Sequence, residues 1–153
     1  MKKVMFISST GGHFSELMKL EKLFKKYKVT LVTESSKKKN ELKKKYNIHF
    51  LLKKSNNKII FLFKLFINCW ISLFYFLRFR PKYIVTTGAH TAGPMCCIGK
   101  IFRSKIIFIE TMANINTPTK TGKKIYKFAD LFIVQWEEML DVYPNSVYGG
   151  WII

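Results

Sequence analysis

The sequence predicts an α/β domain, a parallel sheet with helices on both faces. Six short runs rich in β-branched or aromatic residues recur along the chain, several of them apolar at nearly every position, as strands covered on both faces are. Stretches of helical periodicity separate most of them, the pattern of strands joined by crossover helices. The 153 residues, 48% hydrophobic, suffice for one proper core and predict a single domain over 1–153.

Residues 4–8, VMFIS, are the first strand. The opening MKKVMFISSTGG starts like a secretory signal, but its apolar stretch is far shorter than an h-region and runs straight into polar residues. A helix follows, with Phe14, Leu17, Leu20, Phe24 and Tyr27 on one face while Glu16, Lys19, Lys22 and Lys26 point elsewhere. Residues 29–33, VTLVT, form the second strand, and 35–46, SSKKKNELKKKY, a short solvated helix capped by Ser36. The third strand is 48–52. Beyond a long apolar segment come strand four at 83–87, a helix with Pro94 in its first turn, strand five at 106–110 and strand six at 131–135.

The apolar segment, 59–79, reads IIFLFKLFINCWISLFYFLRF and is long enough to cross a bilayer. On a helix of about 100° per residue, however, Lys64, Asn68, Ser72, Tyr75 and Arg78 gather into an arc of roughly 120° that a spanning helix does not need. Cations flank both ends, Lys53, Lys54 and Lys58 before and Arg78, Arg80 and Lys82 after, so loop charge gives no orientation. A span would also split the sheet across a membrane. The sequence therefore favours a helix lying in the membrane surface, with Phe61, Phe63, Leu65, Phe66, Trp70, Phe74 and Phe76 toward lipid. An ordinary core helix and a true span are the alternatives.

The formal charge of +18, from 27 basic against 9 acidic residues, favours anionic surroundings, either nucleic acid or the inner face of a membrane. No RNA- or DNA-reading module is recognisable, so no nucleic-acid partner is expected. Cys69, Cys96 and Cys97 have neither zinc-ligand spacing nor a disulfide framework and fit a reducing cytoplasm; Cys96 and Cys97, inside a helix, are expected in the core. No metal or cofactor is expected.

Ligands of an open parallel sheet sit beyond the carboxyl ends of its strands. Three such segments are chemically loaded: Ser8-Ser9-Thr10-Gly11-Gly12-His13, residues 86–94 (TTGAHTAGP) and residues 110–122 (ETMANINTPTKTG). The first lacks a dinucleotide fingerprint, and in the second Gly88 and Gly93 are followed by Pro94, not the Lys-Ser/Thr of a phosphate loop. What fits is an anion seat for a diphosphate, with glycines admitting close backbone approach and Ser9, Thr10 and Thr91 donating hydroxyls. His13 either takes a proton from a hydroxyl or braces its loop. Glu110 is a second base or a sugar-orienting group. His90 and His49 read as structural, and Asp130 as a turn or cap residue.

These segments, quoted as SSTGGHFSEL, YIVTTGAHTAGP, FIETMANINTPTKTGKKIYKFADLFIVQWEEM and YPNSVYGGWI, together resemble bacterial PssD-type capsule and exopolysaccharide proteins. That family is homologous to the membrane-anchor subunit of the eukaryotic enzyme that adds the second N-acetylglucosamine to dolichol-diphosphate. More distantly the chain resembles the N-terminal half of MurG, whose loops match Gly11-Gly12-His13, Gly88 to Pro94 and Glu110.

The resemblance implies a Rossmann-like domain equivalent to the N-terminal half of a GT-B glycosyltransferase divided between two polypeptides. This chain would sit on the cytoplasmic face of the cell membrane and receive a polyprenyl-diphosphate-linked acceptor. A separate subunit would bind the UDP-sugar donor and dock on the tail 148–153, through Tyr148, Gly149, Gly150, Trp151 and Ile152. Substrate contacts fall to Thr10, Gly11, Gly12, Gly88, Thr91, Gly93 and Asn114, with His13 or Glu110 as base. Activity is not expected from the chain alone. Eukaryotic anchor subunits begin with a transmembrane helix, whereas here the first strand starts almost at Met1, which leaves attachment to 59–79, the lysines or the partner. MurG-type chains carry a proline soon after the motif histidine. Here Ser15 and Glu16 follow Phe14, as in anchor-type sequences, which implies an assisting role. The alternative is a non-catalytic scaffold that enhances a complete transferase.

Overall fold

The computed structural model describes residues 1–36 and 39–152. Among them, seven strands form one all-parallel sheet: β1 (Lys3–Ser8), β2 (Lys28–Glu34), β3 (Ile48–Leu51), β4 (Tyr83–Gly88), β5 (Lys105–Ile109), β6 (Leu131–Val134) and β7 (Val147–Tyr148). Their order, β3-β2-β1-β4-β5-β6-β7, reverses direction between β1 and β4. That reversal opens a crevice at the carboxyl ends, where ligands of such sheets bind. All six expected strands are present. β7, two residues long, carries no periodicity that a sequence could show.

Alternation along the strands sorts the core onto two faces. Met5 and Ile7 join Val32, Ile84, Ile106 and Phe108 under α4 (Lys58–Phe79), α5 (Ala92–Ile101), α6 (Lys120–Tyr126) and α7 (Met139–Val142). Val4 and Phe6 join Leu31 and Val85 on the other face, against α1 (Gly12–Met18) and α2 (Glu21–Phe24). The single helix expected after β1 is thus two. Bonds of the tighter i to i−3 type, Leu20 N–H to the Leu17 carbonyl and Leu23 N–H to that of Leu20, turn the chain and bring Phe24 onto the Phe6 ring at 4.8 Å. On this second face an apolar hollow of about 390 Å³ lies over β4 to β6, lined by Val85, Ile107, Ile109, Leu131 and Ile133.

Within the helix expected over 35–46, the described residues show α3 (Lys39–Lys45); residues 37 and 38, on which the expected Ser36 cap depends, lie outside the described residues.

α4 is folded inside out relative to a soluble helix. Asn57 Oδ1 caps it, accepting from Ile59 and Ile60 N–H. Its polar stripe faces the protein: Asn68 Oδ1 accepts from Leu52 N–H at 2.8 Å while Asn68 Nδ2 donates to the Leu52 carbonyl at 3.0 Å. Tyr75 O–H donates to the Phe50 carbonyl, Lys64 Nζ to that of Lys53, and Ser72 is fully buried. Asn68, Tyr75 and Lys64 satisfy backbone within and just past β3, and the apolar side is left outward. Leu62, Phe63, Phe66, Trp70 and Phe74 are 60–66% exposed. Phe76 is a correction: it points inward, 4% exposed, and stacks on Phe102 at 5.1 Å. Phe61 and Leu65 are half-buried. Cys97 is a second correction, exposed on α5 beside the buried Cys96.

Candidate functional site

The carboxyl ends of β1, β4 and β5 deliver the three loaded segments side by side. His13, the second residue of α1, and Thr87, near the end of β4, bond twice. Ring Nδ1–H donates to the Thr87 carbonyl at 2.8 Å, and Thr87 Oγ1–H donates to the His13 carbonyl at 2.7 Å. A carbonyl only accepts, so the first bond fixes the proton on Nδ1 and leaves Nε2 of the neutral ring as the basic nitrogen.

Ser9 fastens the same two loops at a second point. Its Oγ lies 2.8 Å from Thr91 Oγ1 and accepts from Ala89 N–H at 3.2 Å. Both hydroxyls are buried, and the bond between them uses the proton of one and leaves that of the other. Gly11 and Gly12, by contrast, are exposed, with no neighbouring atom within 4 Å of where a Cβ would stand. Gly11 has φ 87°, a conformation glycine adopts freely. The open part of the loop is therefore its backbone at 11–12 and the His13 ring.

Glu34, at the end of β2, is a member of the site that the sequence reading missed. It is 3% exposed; Thr10 Oγ1–H donates to its Oε2 at 3.0 Å, and His90 Nε2 lies 3.3 Å from its Oε1. Burial pushes this carboxyl up, but His90 and Thr10 outweigh it and hold the group below its ordinary value. His90 in turn meets the Phe61 ring at 5.7 Å, so α4 reaches the rim of the site. The available signal was a lone acid closing a strand, β2, that is rich in β-branched residues.

Glu16 stands off the apolar face of the first helix, as its spacing predicts, yet it does not meet solvent. It is buried instead: its Oε1 accepts from Thr111 Oγ1–H at 2.9 Å and Met112 N–H at 3.0 Å, tying α1 to the third segment.

Glu110 is 1% exposed and ringed by donors. Thr111 N–H and Thr119 Oγ1–H reach Oε1, while Thr119 N–H and Tyr143 O–H reach Oε2, all at 3.0–3.3 Å. Burial and the Glu110 charge push the Tyr143 phenol up. Gly122 is demanded here, because a Cβ would collide with the Glu110 carboxylate. Asn114 is half-buried in the same segment, and its N–H reaches the Thr111 carbonyl at 3.5 Å. Gly88 is buried with His13 at 3.6 Å from its Cβ position, and Gly93 faces open space. Asp130 lies at the other end of the sheet as a loop anchor, accepting from Ile106 N–H. His49 is packed between the Tyr75 and Phe79 rings.

The tail runs back over the third segment. Gly149 N–H donates to the Val134 carbonyl, and Ile152 N–H to Gln135 Oε1, whose Nε2 donates to the Glu110 carbonyl at 2.9 Å. Trp151 is half exposed and meets Trp136 edge-on at 4.9 Å. Ile153 lies outside the described residues.

A family model described as "Oligosaccharide biosynthesis protein Alg14 like" matches residues 4–152. The chain belongs to the Alg14-like family. Similar curated proteins include the UDP-N-acetylglucosamine transferase subunit ALG14 of Mus musculus, 26% identical over 180 residues, covering 99% of this chain and 83% of the mouse protein. The human protein of the same name is 30% identical over 92 residues, 56% of this chain and 43% of its own. Among solved structures, Acinetobacter baumannii MurG superposes with a TM-score of 0.73 at 17% identity, over 90% of this chain and 43% of the MurG chain. The Alg14-like chain thus has the Rossmann-like α/β fold of a GT-B half and spans about two-fifths of that structural neighbour.

Proposed function

We propose that this Alg14-like protein is the membrane-side subunit of a two-component inverting glycosyltransferase that builds lipid-linked saccharide for capsule or exopolysaccharide at the cytoplasmic face of the membrane. The observation that carries the reading is the clasped carboxyl-end wall: loops one and two joined at His13–Thr87 and Ser9–Thr91, loops one and three at Glu16, with Gly11, Gly12 and the His13 ring left open. One wall of a GT-B cleft needs a second, donor-binding wall, and the names of the curated relatives say "transferase subunit".

In this reading His13 Nε2 takes the proton from the acceptor sugar hydroxyl as that oxygen attacks the anomeric carbon of the UDP-sugar held by the partner. UDP leaves from the opposite face, which inverts the centre. Gly11 and Gly12 lie against the acceptor diphosphate or the partner. Glu110 braces the third segment and does not act as a base. Val147, Tyr148 and Trp151, exposed on β7 and the tail that follows it, form the surface for the donor-binding subunit. α4 lies in the membrane surface, its outward aromatics in lipid and its polar stripe fixed to the domain.

Reconstitution tests this. Purified chain, purified donor-binding subunit and their mixture are assayed with a prenyl-diphosphate-linked acceptor; only the mixture should transfer sugar. Full turnover by the partner alone would make this chain a scaffold, and turnover by this chain alone would end the divided-enzyme reading.

A further inference from the structure

Only three of the 27 basic residues are arginine, and the fold brings Arg78, Arg80 and Arg103 to one end of the molecule, where α4 and α5 finish before β4 and β5. Arg80 and Arg103 line a cavity of about 380 Å³ with Leu77, Lys82, Phe102 and Ser104. Arg78 lines the neighbouring hollow of about 330 Å³, which shares Pro81 with the first.

Two further facts set Arg80 and Arg103 apart. Their backbones lie at φ 45° and φ 62°, and among the described residues they are the only non-glycines in the left-handed region. Glycine is the residue that fits such helix ends, so the fold alone does not ask for arginine at either place. No carboxylate answers them: no arginine forms an ion pair among the described residues, and nearby Asp130 is held by Lys100 and Lys105. The rim is apolar and exposed through Leu77, Ile101 and Phe102, continuing the outward side of α4.

We propose that Arg80 and Arg103 form a phosphate site for the headgroup of an anionic phospholipid. Guanidinium forks match phosphate oxygens two at a time, which the far commoner lysines of this chain cannot do. The apolar rim selects a phosphate attached to acyl chains over a free one, because Leu77 and Phe102 gain cover only when lipid surrounds them. The inference rests on the membrane-surface reading of α4 and deepens it. The helix is then held at both ends, by Lys53, Lys54 and Lys58 at one and by the arginine site about 33 Å away at the other.

Co-sedimentation of the full chain with phosphatidylglycerol/phosphatidylcholine vesicles tests it. The charge-preserving double variant Arg80→Lys/Arg103→Lys should bind about tenfold more weakly than the native chain. Arg80→Gly/Arg103→Gly should melt no lower than the native chain, since glycine suits both backbones, and bind more weakly still. Lysine variants that bind as the native chain does would overturn the site and leave membrane attachment standing. A native chain that ignores the vesicles would overturn both. Release of bound protein by millimolar inorganic phosphate would identify a free-phosphate site and overturn the lipid assignment.

Discussion

His13 and Thr87 hold each other in both directions, ring Nδ1–H to carbonyl at 2.8 Å and hydroxyl to carbonyl at 2.7 Å. This clasp separates the two roles open to the histidine. Asn in place of His13 keeps an N–H at the Nδ1 position for Thr87 but supplies no basic nitrogen. His13→Asn should therefore fold and bind partner normally while turnover in the reconstituted pair falls about 10²- to 10⁴-fold, the same loss expected of His13→Ala. Recovery of turnover by His13→Asn relative to His13→Ala would make the residue a brace. Thr87→Val, which leaves the ring bond but loosens the loop, should cost about tenfold in turnover.

Glu110 and Gly122 are tested by stability. A methyl at Gly122 would enter the space of the Glu110 carboxylate and lie 2.7 Å from Tyr143 Oη. Gly122→Ala should cost about 2–4 kcal/mol, a fall in Tm of roughly 5–15 °C for a chain this size. Glu110→Gln sets an amide N–H₂ among four donors and should cost about 2–3 kcal/mol. A Glu110→Gln protein that melts like the native one yet loses turnover would restore Glu110 as a catalytic base.

Much of this was legible in the sequence because burial on both faces writes itself into strands such as VMFI and VTLV, and because carboxyl-end loops of a parallel sheet must share one edge. The inverted α4 was half legible: the arc of Lys64, Asn68, Ser72, Tyr75 and Arg78 was visible, but not that all of it except the exposed Arg78 turns inward, with Asn68, Tyr75 and Lys64 on backbone in and just past β3, which needs the partner carbonyls in view. Phe76 was assigned to lipid on composition, whereas its contact with Phe102 depends on how α4 crosses α5. The burial of Glu16 was not legible for a related reason. A charged helix position normally means solvent, and only the approach of Thr111 and Met112 from a segment 95 residues away makes it a buried acceptor. Tyr143 gave no signal at all.

Asp130 gives a pH prediction. Burial pushes its carboxyl up, but Ile106 N–H, Lys105 at 2.9 Å and Lys100 at 3.2 Å draw it down to about 2, against an ordinary 3.8. A depressed folded value means stability that is complete above the ordinary value and is lost as pH falls through the folded one. Asp130→Asn should therefore be less stable than the native chain by about 1 kcal/mol at neutral pH, a modest figure because both lysines are solvent-exposed. The gap should close between about pH 4 and pH 2. Paired urea titrations across that range measure it, and a gap that persists below pH 2 would remove the ion pairs as its cause.

The tail offers the sharpest test of partner docking, because it is attached to the site by two routes. Trp151 leans on Trp136, whose Nε1–H donates to the Met112 carbonyl at 2.8 Å. Ile152 N–H holds Gln135, whose amide holds the Glu110 carbonyl. A half-exposed indole set edge-on against a second one has the character of an interface anchor, for which truncation costs about 2 kcal/mol or more in binding. Trp151→Ala should then weaken association with the donor-binding subunit roughly thirtyfold while Tm moves little, since the ring is already half in water. Gln135→Leu leaves the Glu110 carbonyl and Ile152 N–H without their partner. It should lower turnover of the saturated pair as well as its affinity, because the third segment loses its tie to the docked tail. Calorimetric titration of each variant with the partner, followed by turnover at saturating partner, separates the two effects. A Trp151→Ala chain that binds as the native one does would move the interface elsewhere on the domain.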